Sequence, residues 1–505
     1  MFIYQGGIIS NFLSQNAQQY KIPVYQRNYE WSKEQCIKLF DDIVLAYEKD
    51  RTHFCGSVVR ALLKEEHNIY HYVIIDGQQR LTTIYLMIKA LLDCAESDKE
   101  KEAMQEALFN KDKFDTYDVD TASKLKLKAI KSDNQQLLLL MDNKYDEIDK
   151  ASGIWRNYEL FCSLIKEQLA KGRYVKEIYK GLEKLICAKI TLDSDDNAQE
   201  IFDRINSTGL PLSLADQIRN YVLMTEADQE RLYEDYWLKI EKLVNKDYMA
   251  SFFLDYLNMK MEGFAKEESG YESFKALYPE DKFAKEDVLK EIYHYAKYYH
   301  VFLYGDEAYG EVVNSALQSL QKLKQTTVFL FLFRVFDDYE NGEIELAELE
   351  KVMTFLLNYS IRRLICEVGS NSLRGLYKTL HSRIFSNAEN KKHYYDSIVS
   401  FFMQLTSKDA LPSDAAFIEA LKNNNLYRKN SLCKYLLGSL ENKSNEKLVL
   451  NSKISIEHIM PQNKNLSTAW QTMLGRNWQA DRDKYLHTLG NLTLTGYNSE
   501  LGDQP

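Results

Sequence analysis

The sequence predicts an α+β protein that is predominantly helical. The chain of 505 residues contains only 20 Gly and 6 Pro, so few residues interrupt helices. Apolar residues recur at i, i+3 and i+4 over most of residues 226–440, which is the helical period. Strand-like runs lie before residue 200 and after residue 450.

The first 225 residues mix strands with helices. The strand-like runs are "GSVVRALL" (56–63), "HYVIID" (71–76) and "LICAKITLDSD" (185–195). Residues 95–185 are charged, periodic and free of Pro, which predicts a helical insertion. Residues 197–206 and 213–224 predict two further helices. In the second of these helices Ser213 is the expected N-cap, and Asp216 at N3 completes a capping box.

The remainder of the chain is helical until about residue 440. "DDYENGEIELAE" (337–348) is similar to a calcium-binding EF-hand loop. However, Tyr339 stands where a ligand is needed, so we predict a turn between helices. Strand signals return in "LVLNSKISIEHIMP" and "GNLTLTGYN". We therefore predict three domains, at residues 1–225, 226–440 and 441–505.

Composition limits the classes of function. The formal net charge of -10 argues against general coating of nucleic acid, although a local basic groove remains compatible with it. The seven Cys form no CxxC pair, which favours reduced thiols in a cytoplasmic protein. No apolar run is long enough to predict a membrane span.

The turn in "IIDGQQRLTT" (74–83) is the first candidate site, because a predicted strand ends there and a predicted helix begins. Amide groups at a helix start attract anions, Gly77 permits close backbone approach, and Arg80 suits phosphate oxygens. Gln78 and Gln79 offer donors to phosphate or to a base edge. Asp76 suits a metal–nucleotide complex or a ribose hydroxyl. The alternative is that Asp76 caps the helix and Arg80 is a solvated charge.

Two further segments are candidates for ligand contacts. In "IPVYQRNYEW" (22–31), Arg27 lies among aromatic residues that could stack on bases, or that could instead clamp the segment onto its domain. In "IFDRINSTGLPLSLADQIRN" (201–220), Asn206 opens a polar turn before a capped helix. The alternative there is ordinary loop chemistry.

"SIEHIMPQ" (455–462) and "LGNLTLTGYN" (489–498) have the layout of a ββα-metal nuclease. His458 is a candidate general base. Glu457 and Asn498 offer oxygen ligands for Mg²⁺ or Mn²⁺. Asn491 is expected to brace the hairpin and to orient His458. The alternative is a capped hairpin with an incidental His.

Together these segments resemble the GmrSD restriction endonuclease family, and "SIRRLICEVGSNSLRGLYKTL" (360–380) is similar to its helical middle part. The resemblance implies a ParB-like N-terminal domain that binds and hydrolyses an NTP, and a C-terminal HNH nuclease domain. By position in the motifs, the nucleotide site takes Gln26, Arg27, Asp76, Gly77, Gln78, Gln79, Arg80 and Asn206. The catalytic residues are His458 and Asn491, and the metal ligands are Glu457 and Asn498.

The implied activity is NTP-regulated, metal-dependent cleavage of modified phage DNA in anti-phage defence, as in type IV restriction. The family pattern continues past its last Asn through a helix, whereas this sequence stops at "NSELGDQP", so we expect an incomplete ββα unit. An NTP-dependent sensor or partner-binding switch with a vestigial nuclease module is therefore an alternative. A helical scaffold without catalysis is another, and the sequence leaves homo-oligomer formation open.

Overall fold

A computed structural model describes residues 2–15, 17–66, 69–111, 124–193, 195–206, 212–224, 226–443 and 454–496. The chain divides into two compact units. The first unit comprises residues 1–238 and 278–289, and the second comprises residues 239–277 and 290–505. The division into three domains stays a prediction.

The first unit is built on a mixed sheet, which has six strands in the described part of the chain. Its strands are β1 (Phe2–Gly7), β2 (Gln18–Lys21), β3 (His53–Glu66), β4 (Ile69–Asp76), β5 (Leu127–Lys128) and β6 (Leu185–Leu192). Their order across the sheet is β1-β6-β3-β4-β2-β5. The central strand β3 pairs antiparallel with β4 and parallel with β6, so the three longest strands form the middle of the sheet.

Helices surround this sheet. They are α1 (Lys33–Glu48), α2 (Gln78–Cys94), α3 (Asp98–Leu108), α4 (Lys131–Met141), α5 (Gly153–Ala170), α6 (Val175–Glu183), α7 (Ala198–Asn206), α8 (Leu214–Leu223) and α9 (Gln229–Leu232). Helix α2 is buried along most of its length and packs against α5. The predicted insertion at 95–185 is mainly helical, as expected, but its apolar residues belong to the same core as the sheet.

The second unit is helical apart from one hairpin among its described residues. Its elements are α10 (Leu238–Val244), α11 (Met249–Lys260), α12 (Gly270–Leu277), α13 (Lys285–Tyr304), α14 (Gly310–Lys322), α15 (Phe329–Glu340), α16 (Leu346–Ile365), α17 (Leu373–Phe385), α18 (Tyr394–Gln404), α19 (Asp414–Asn423), α20 (Asn430–Asn442), β7 (Ser455–His458), α21 (Thr468–Leu474), α22 (Trp478–Tyr485) and β8 (Leu492–Thr495). Phe302 and Phe336 meet edge to face at 4.9 Å, one of many aromatic contacts that join α13 to α15.

The predicted class, α+β and predominantly helical, is confirmed. Residues 337–348 contain the predicted turn between helices, which occupies residues 341–345 between the end of α15 and the start of α16. The capping box at the start of α8 is also confirmed, because the Ser213 hydroxyl accepts from Asp216 N and the Asp216 carboxylate accepts from Ser213 N. None of the helices in the described ranges combines the length and the apolar composition that a bilayer crossing requires.

Candidate functional site

The turn between β4 and α2 requires a glycine. Gly77 has φ 93°, and a Cβ there would lie 2.9 Å from Val58 Cγ2 and 3.1 Å from Ser57 O. Gly77 is also the N-cap of α2, and it has no side chain to accept a bond from the helix. The alternative, in which Asp76 caps the helix, is therefore wrong: Asp76 precedes the cap residue, and its carboxylate accepts from the backbone N of Gly77. In the described residues, the first amide groups of α2 are not capped by a side chain, which leaves them available to an anion.

Arg80 is held beside the turn. Its Nη1 donates to Cys55 O at 2.7 Å, and its Nη2 lies 3.4 Å from Asp76 Oδ2. The Arg80 and Asp76 side chains are only 21% and 20% exposed, so the alternative of a solvated surface charge is wrong. Burial raises the pKa of Asp76, and the charge of Arg80 opposes that rise.

Two glutamines attach the segment 22–31 to this turn. Gln26 Nε2 donates to Ile75 O at 2.8 Å, from a side chain that is nearly buried. Gln79 Nε2 donates to Asn28 O at 2.9 Å, and Gln79 Oε1 accepts from Glu30 N at 2.9 Å. The amide of Gln79 is therefore committed to the protein backbone, which disfavours the predicted contact of this side chain with phosphate or a base.

The aromatic residues of the same segment pack inwards. Tyr25 and Tyr29 are buried. The Tyr29 hydroxyl lies 2.7 Å from Thr83 Oγ1 and accepts from Asn157 Nδ2 at 3.1 Å. For these two tyrosines the clamp interpretation is confirmed, and stacking on bases is wrong because their rings are covered by the domain itself.

Arg27 remains available for an anion. Its side chain is 17% exposed, and its contact with a carboxylate is a long one, 4.0 Å to Glu30 Oε2. Within the described residues the Arg27 guanidinium makes no hydrogen bond, although it is close enough to Asp76 to lower the pKa of that carboxyl. Gln78 is also buried beside the turn, and its amide has no hydrogen bond to the described protein. A partly buried guanidinium with only one long ion pair would gain hydrogen bonds from an anionic ligand.

The third predicted segment contributes a residue that we did not single out. Arg219 on α8 is buried, and its Nε donates to Tyr25 O at 3.0 Å while its Nη2 pairs with Asp216 Oδ1 at 2.7 Å. The signal was present, because Arg219 lies three residues after Asp216 on the predicted helix. Asn206 ends α7, and its side chain, like residues 207–211, lies outside the described part.

The second candidate site is the hairpin of β7 and β8, which pair antiparallel. Asn491 Oδ1 accepts from Met460 N at 2.7 Å, and its Nδ2 donates to Leu486 O at 2.8 Å and to Met460 O at 3.3 Å. Ile459 N donates to Asn491 O at 2.9 Å. Asn491 thus joins the chain after β7 to the chain before β8. We predicted that Asn491 also orients the His458 ring. No such contact is found, because the hydrogen bonds of the Asn491 side chain all go to backbone groups.

His458 is instead held by a second histidine. Its Nε2 lies 3.0 Å from His487 Nδ1, and the Tyr427 ring meets His458 edge-on at 4.5 Å and stacks on His487 at 5.4 Å. Nδ1 of His458 is buried and has no hydrogen-bond partner. Burial, with a smaller effect of His487, lowers the pKa of His458 to about 4, so its ring is neutral at pH 7. His487 was missed, although it lies four residues before Asn491.

The groups beside His458 fit a divalent ion in part. Glu457 precedes His458 on β7, and its Oε1 accepts from the His458 backbone N at 3.0 Å. Carboxylate and amide oxygens are the ligands that Mg²⁺ and Mn²⁺ prefer. Asn498, the other predicted ligand, lies outside the described residues. Among the described residues no group of three or more His, Cys, Asp or Glu could hold a metal. A complete site would therefore need ligands from elsewhere.

Comparison with known proteins gives two matches to family models. Residues 9–223 match the N-terminal domain of the GmrSD restriction endonuclease family, and residues 411–505 match the C-terminal domain of GmrSD restriction endonucleases. No curated protein is similar enough to match the chain. The first match contains the Asp76–Arg80 turn with the Arg27 segment, and the second contains the His458 hairpin. The chain therefore belongs to the GmrSD restriction endonuclease family.

Proposed function

We propose that this protein is an NTP-regulated, divalent-metal-dependent HNH endonuclease that cleaves modified phage DNA. The observation that carries the proposal is the free Nδ1 of His458, on a strand whose preceding residue is Glu457. In the tautomer in which Nε2 donates to His487 Nδ1, the other ring nitrogen keeps a lone pair that can accept a proton from water. His487 acts as a positioning residue, because it fixes the ring and its tautomer.

Glu457 and Asn498 would hold the divalent ion, which when bound stabilises negative charge on the scissile phosphate. The roles of the described residues are then distinct. Nδ1 of His458 takes the proton of the attacking water. Asn491 keeps the strand that carries His458 in place through its bonds to Met460 and Leu486.

The test is plasmid cleavage. Modified and unmodified phage DNA are incubated with the full chain, Mg²⁺ or Mn²⁺, and each NTP. Removal of a positioned general base costs roughly 10²–10⁴-fold in rate, so we expect His458→Ala to lose cleavage of modified DNA by that order. His393→Ala is the matched control, because His393 is exposed in the same unit and distant in sequence from the hairpin. Equal cutting by wild type and His458→Ala would refute the assignment.

We infer that the NTP binds at the Arg27–Arg80 turn. Support comes from the Arg27 guanidinium, which has no close carboxylate, next to the uncapped start of α2. Triphosphate oxygens would give Arg27 closer, hydrogen-bonded partners than Glu30, which is 4.0 Å away. The Arg80 guanidinium is less available for phosphate, because its Nη1 already donates to Cys55 O and its Nη2 lies beside Asp76 Oδ2.

Equilibrium binding of labelled NTPs tests this assignment. Arg27→Ala should weaken binding by roughly tenfold or more, since a charge-assisted hydrogen bond contributes about 1.5–3 kcal/mol. Arg51→Ala removes an exposed arginine of the same unit and should have no effect. NTP hydrolysis without any DNA cleavage would favour the sensor or switch interpretation over the nuclease.

A further inference from the structure

A cavity in the second unit has no role in either candidate site. It has a volume of about 310 Å³ and lies among α11, α13, the turn from α14 to α15, and α17. Asp255, Tyr299, Lys324, Thr327, Phe329 and Arg374 line it, together with neighbouring residues. All of these residues belong to the second unit. The cavity therefore does not depend on the sheet or on the Arg27 turn.

Asp255 is the unusual group in this cavity. It is 9% exposed, and within the described residues its carboxyl makes no hydrogen bond and no ion pair. Burial raises the pKa of Asp255 to about 7, and the charge of Arg374 opposes this rise. A buried carboxyl without hydrogen bonds costs free energy in the folded state, and the charge of Arg374 offsets only part of this cost, since the pKa stays raised. A buried acid of this kind that lines a cavity is a candidate for a binding site.

The lining also carries the opposite charge. Arg374 and Lys324 are exposed residues, and in the described ranges neither side chain forms an ion pair, although Arg374 is near enough to Asp255 to oppose the rise of its pKa. Thr327 adds a hydroxyl to the lining. An anionic group placed between the two cations would gain charge-assisted hydrogen bonds. The lining thus combines a buried acid with two cations that have no ion pair in the described ranges.

Two aromatic residues also line the cavity. Tyr299 of α13 is buried, and its ring meets Phe329 of α15 edge to face at 5.8 Å. These rings are held by neighbouring aromatic residues, for example Phe252 at 5.3 Å from Tyr299. Tyr299 and Phe329 are only 3% and 0% exposed, so they give the cavity a fixed apolar boundary and offer no ring face for stacking.

We propose that this cavity binds a nucleoside monophosphate unit, with its base edge at Asp255 and its phosphate between Arg374 and Lys324. A base edge offers N–H donors to the carboxyl, and the phosphate supplies a charged partner to the two cations. The volume lies near the lower limit of roughly 300–1,000 Å³ for small-molecule pockets, which favours one nucleotide over a triphosphate or a dinucleotide. The unit could come from a free nucleotide or from one position of a DNA strand.

The experiment measures binding to the full chain by isothermal titration calorimetry. The probes are the four deoxynucleoside monophosphates, a single-stranded deoxyoligonucleotide, and inorganic phosphate. We expect saturable binding of at least one nucleotide probe. Binding should weaken tenfold or more in Arg374→Ala and in Asp255→Leu. Binding of monophosphates identifies the free nucleotide as a ligand, whereas binding of the oligonucleotide alone identifies a unit of a strand.

Matched controls separate this site from the other two. Lys322→Ala removes an exposed lysine two residues from Lys324 that does not line the cavity, and it should bind as wild type does. Nucleotide bound at the Arg27 turn is recognised by its loss in Arg27→Ala and not in Arg374→Ala, so the two binding proposals succeed or fail separately.

Several results would overturn the proposal. They are no saturable binding of any nucleotide probe, equal binding by wild type and Arg374→Ala, or phosphate binding as tight as nucleotide binding. Circular dichroism shows whether Asp255→Leu folds. If it does not, the test rests on Arg374→Ala, which should fold because the Arg374 side chain is exposed.

Discussion

Asn491→Ala should loosen the hairpin that carries His458. The Asn491 amide satisfies three backbone groups, and two of its bonds are short, 2.7 Å from Met460 N and 2.8 Å to Leu486 O. The side chain is 8% exposed, so water cannot easily take over its hydrogen bonds when it is removed. Each buried group that loses its partner costs about 1–3 kcal/mol. Counting the two short bonds, we expect local stability to fall by about 2–6 kcal/mol.

Hydrogen exchange measures this loss at the site. Since 1.4 kcal/mol corresponds to a tenfold change, a loss of about 3 kcal/mol should speed exchange of the Met460 and Ile459 amides by roughly 100-fold. Asn465→Ala is the control, because Asn465 is exposed on the same connection between β7 and β8. Unchanged exchange in Asn491→Ala would refute the conclusion that Asn491 stabilises the hairpin. Asn491→Asp keeps an acceptor for Met460 N but loses both donors, so it should recover only part of the protection.

Three further predictions concern stability. Gly56→Ala should destabilise the first unit by roughly 1–3 kcal/mol, because Gly56 has φ 97° and a Cβ there would lie 2.3 Å from Arg80 Nη1. Urea unfolding measures this loss, and an unchanged urea midpoint would contradict the prediction. The pKa of Asp255 is about 7 in the folded chain, against 3.8 in the unfolded chain. Between about pH 4 and 7 the folded chain therefore binds more protons than the unfolded chain, so the free energy of unfolding falls as the pH rises through this range. Asp255→Asn should remove up to about 4 kcal/mol of this dependence in unfolding curves measured across that range, and identical pH profiles would refute it. Ser213→Ala removes the acceptor for Asp216 N and should cost about 1 kcal/mol by the same urea assay, with Ser163→Ala, an exposed serine within α5, as the comparison.

Local signals in the sequence were sufficient for the elements that frame both sites. The capping box at Ser213 needs only residues three apart, and the hairpin at His458 needs only two strand-like runs. What could not be predicted depends on contacts between distant segments. Gln79 looked like a ligand donor because nothing in "DGQQR" shows that it meets Asn28, 51 residues earlier. His487 reaches His458 across two short helices, a separation of 29 residues.

The burial of Asp255 could not be predicted from the sequence for a different reason. The run "SFFLDYLNMK" places this acid on a helix that is apolar almost all round, and the period alone does not show which face meets the core. Only the packing of α11 with other helices decides that the carboxyl enters a cavity. A charged residue inside a strongly apolar helix is therefore a signal for a site, but the neighbouring cations must come from the structure.

A polar residue in a motif can serve the protein backbone or a ligand, and the hydrogen bonds separate the two groups here. The side-chain amides of Gln26, Gln79 and Asn491 form hydrogen bonds with main-chain groups of another segment. These residues therefore hold two segments of the site in position. Arg27 and His458 keep polar atoms without close partners in the described residues, so they remain free for chemistry. Substitutions in the first group should lower local stability and activity together. Arg27→Ala should lower binding while the fold is retained, because the guanidinium makes no hydrogen bond in the described residues. His458→Ala also removes the contact of Nε2 with His487 and the packing on Tyr427, so its loss of rate has to be compared with its loss of stability.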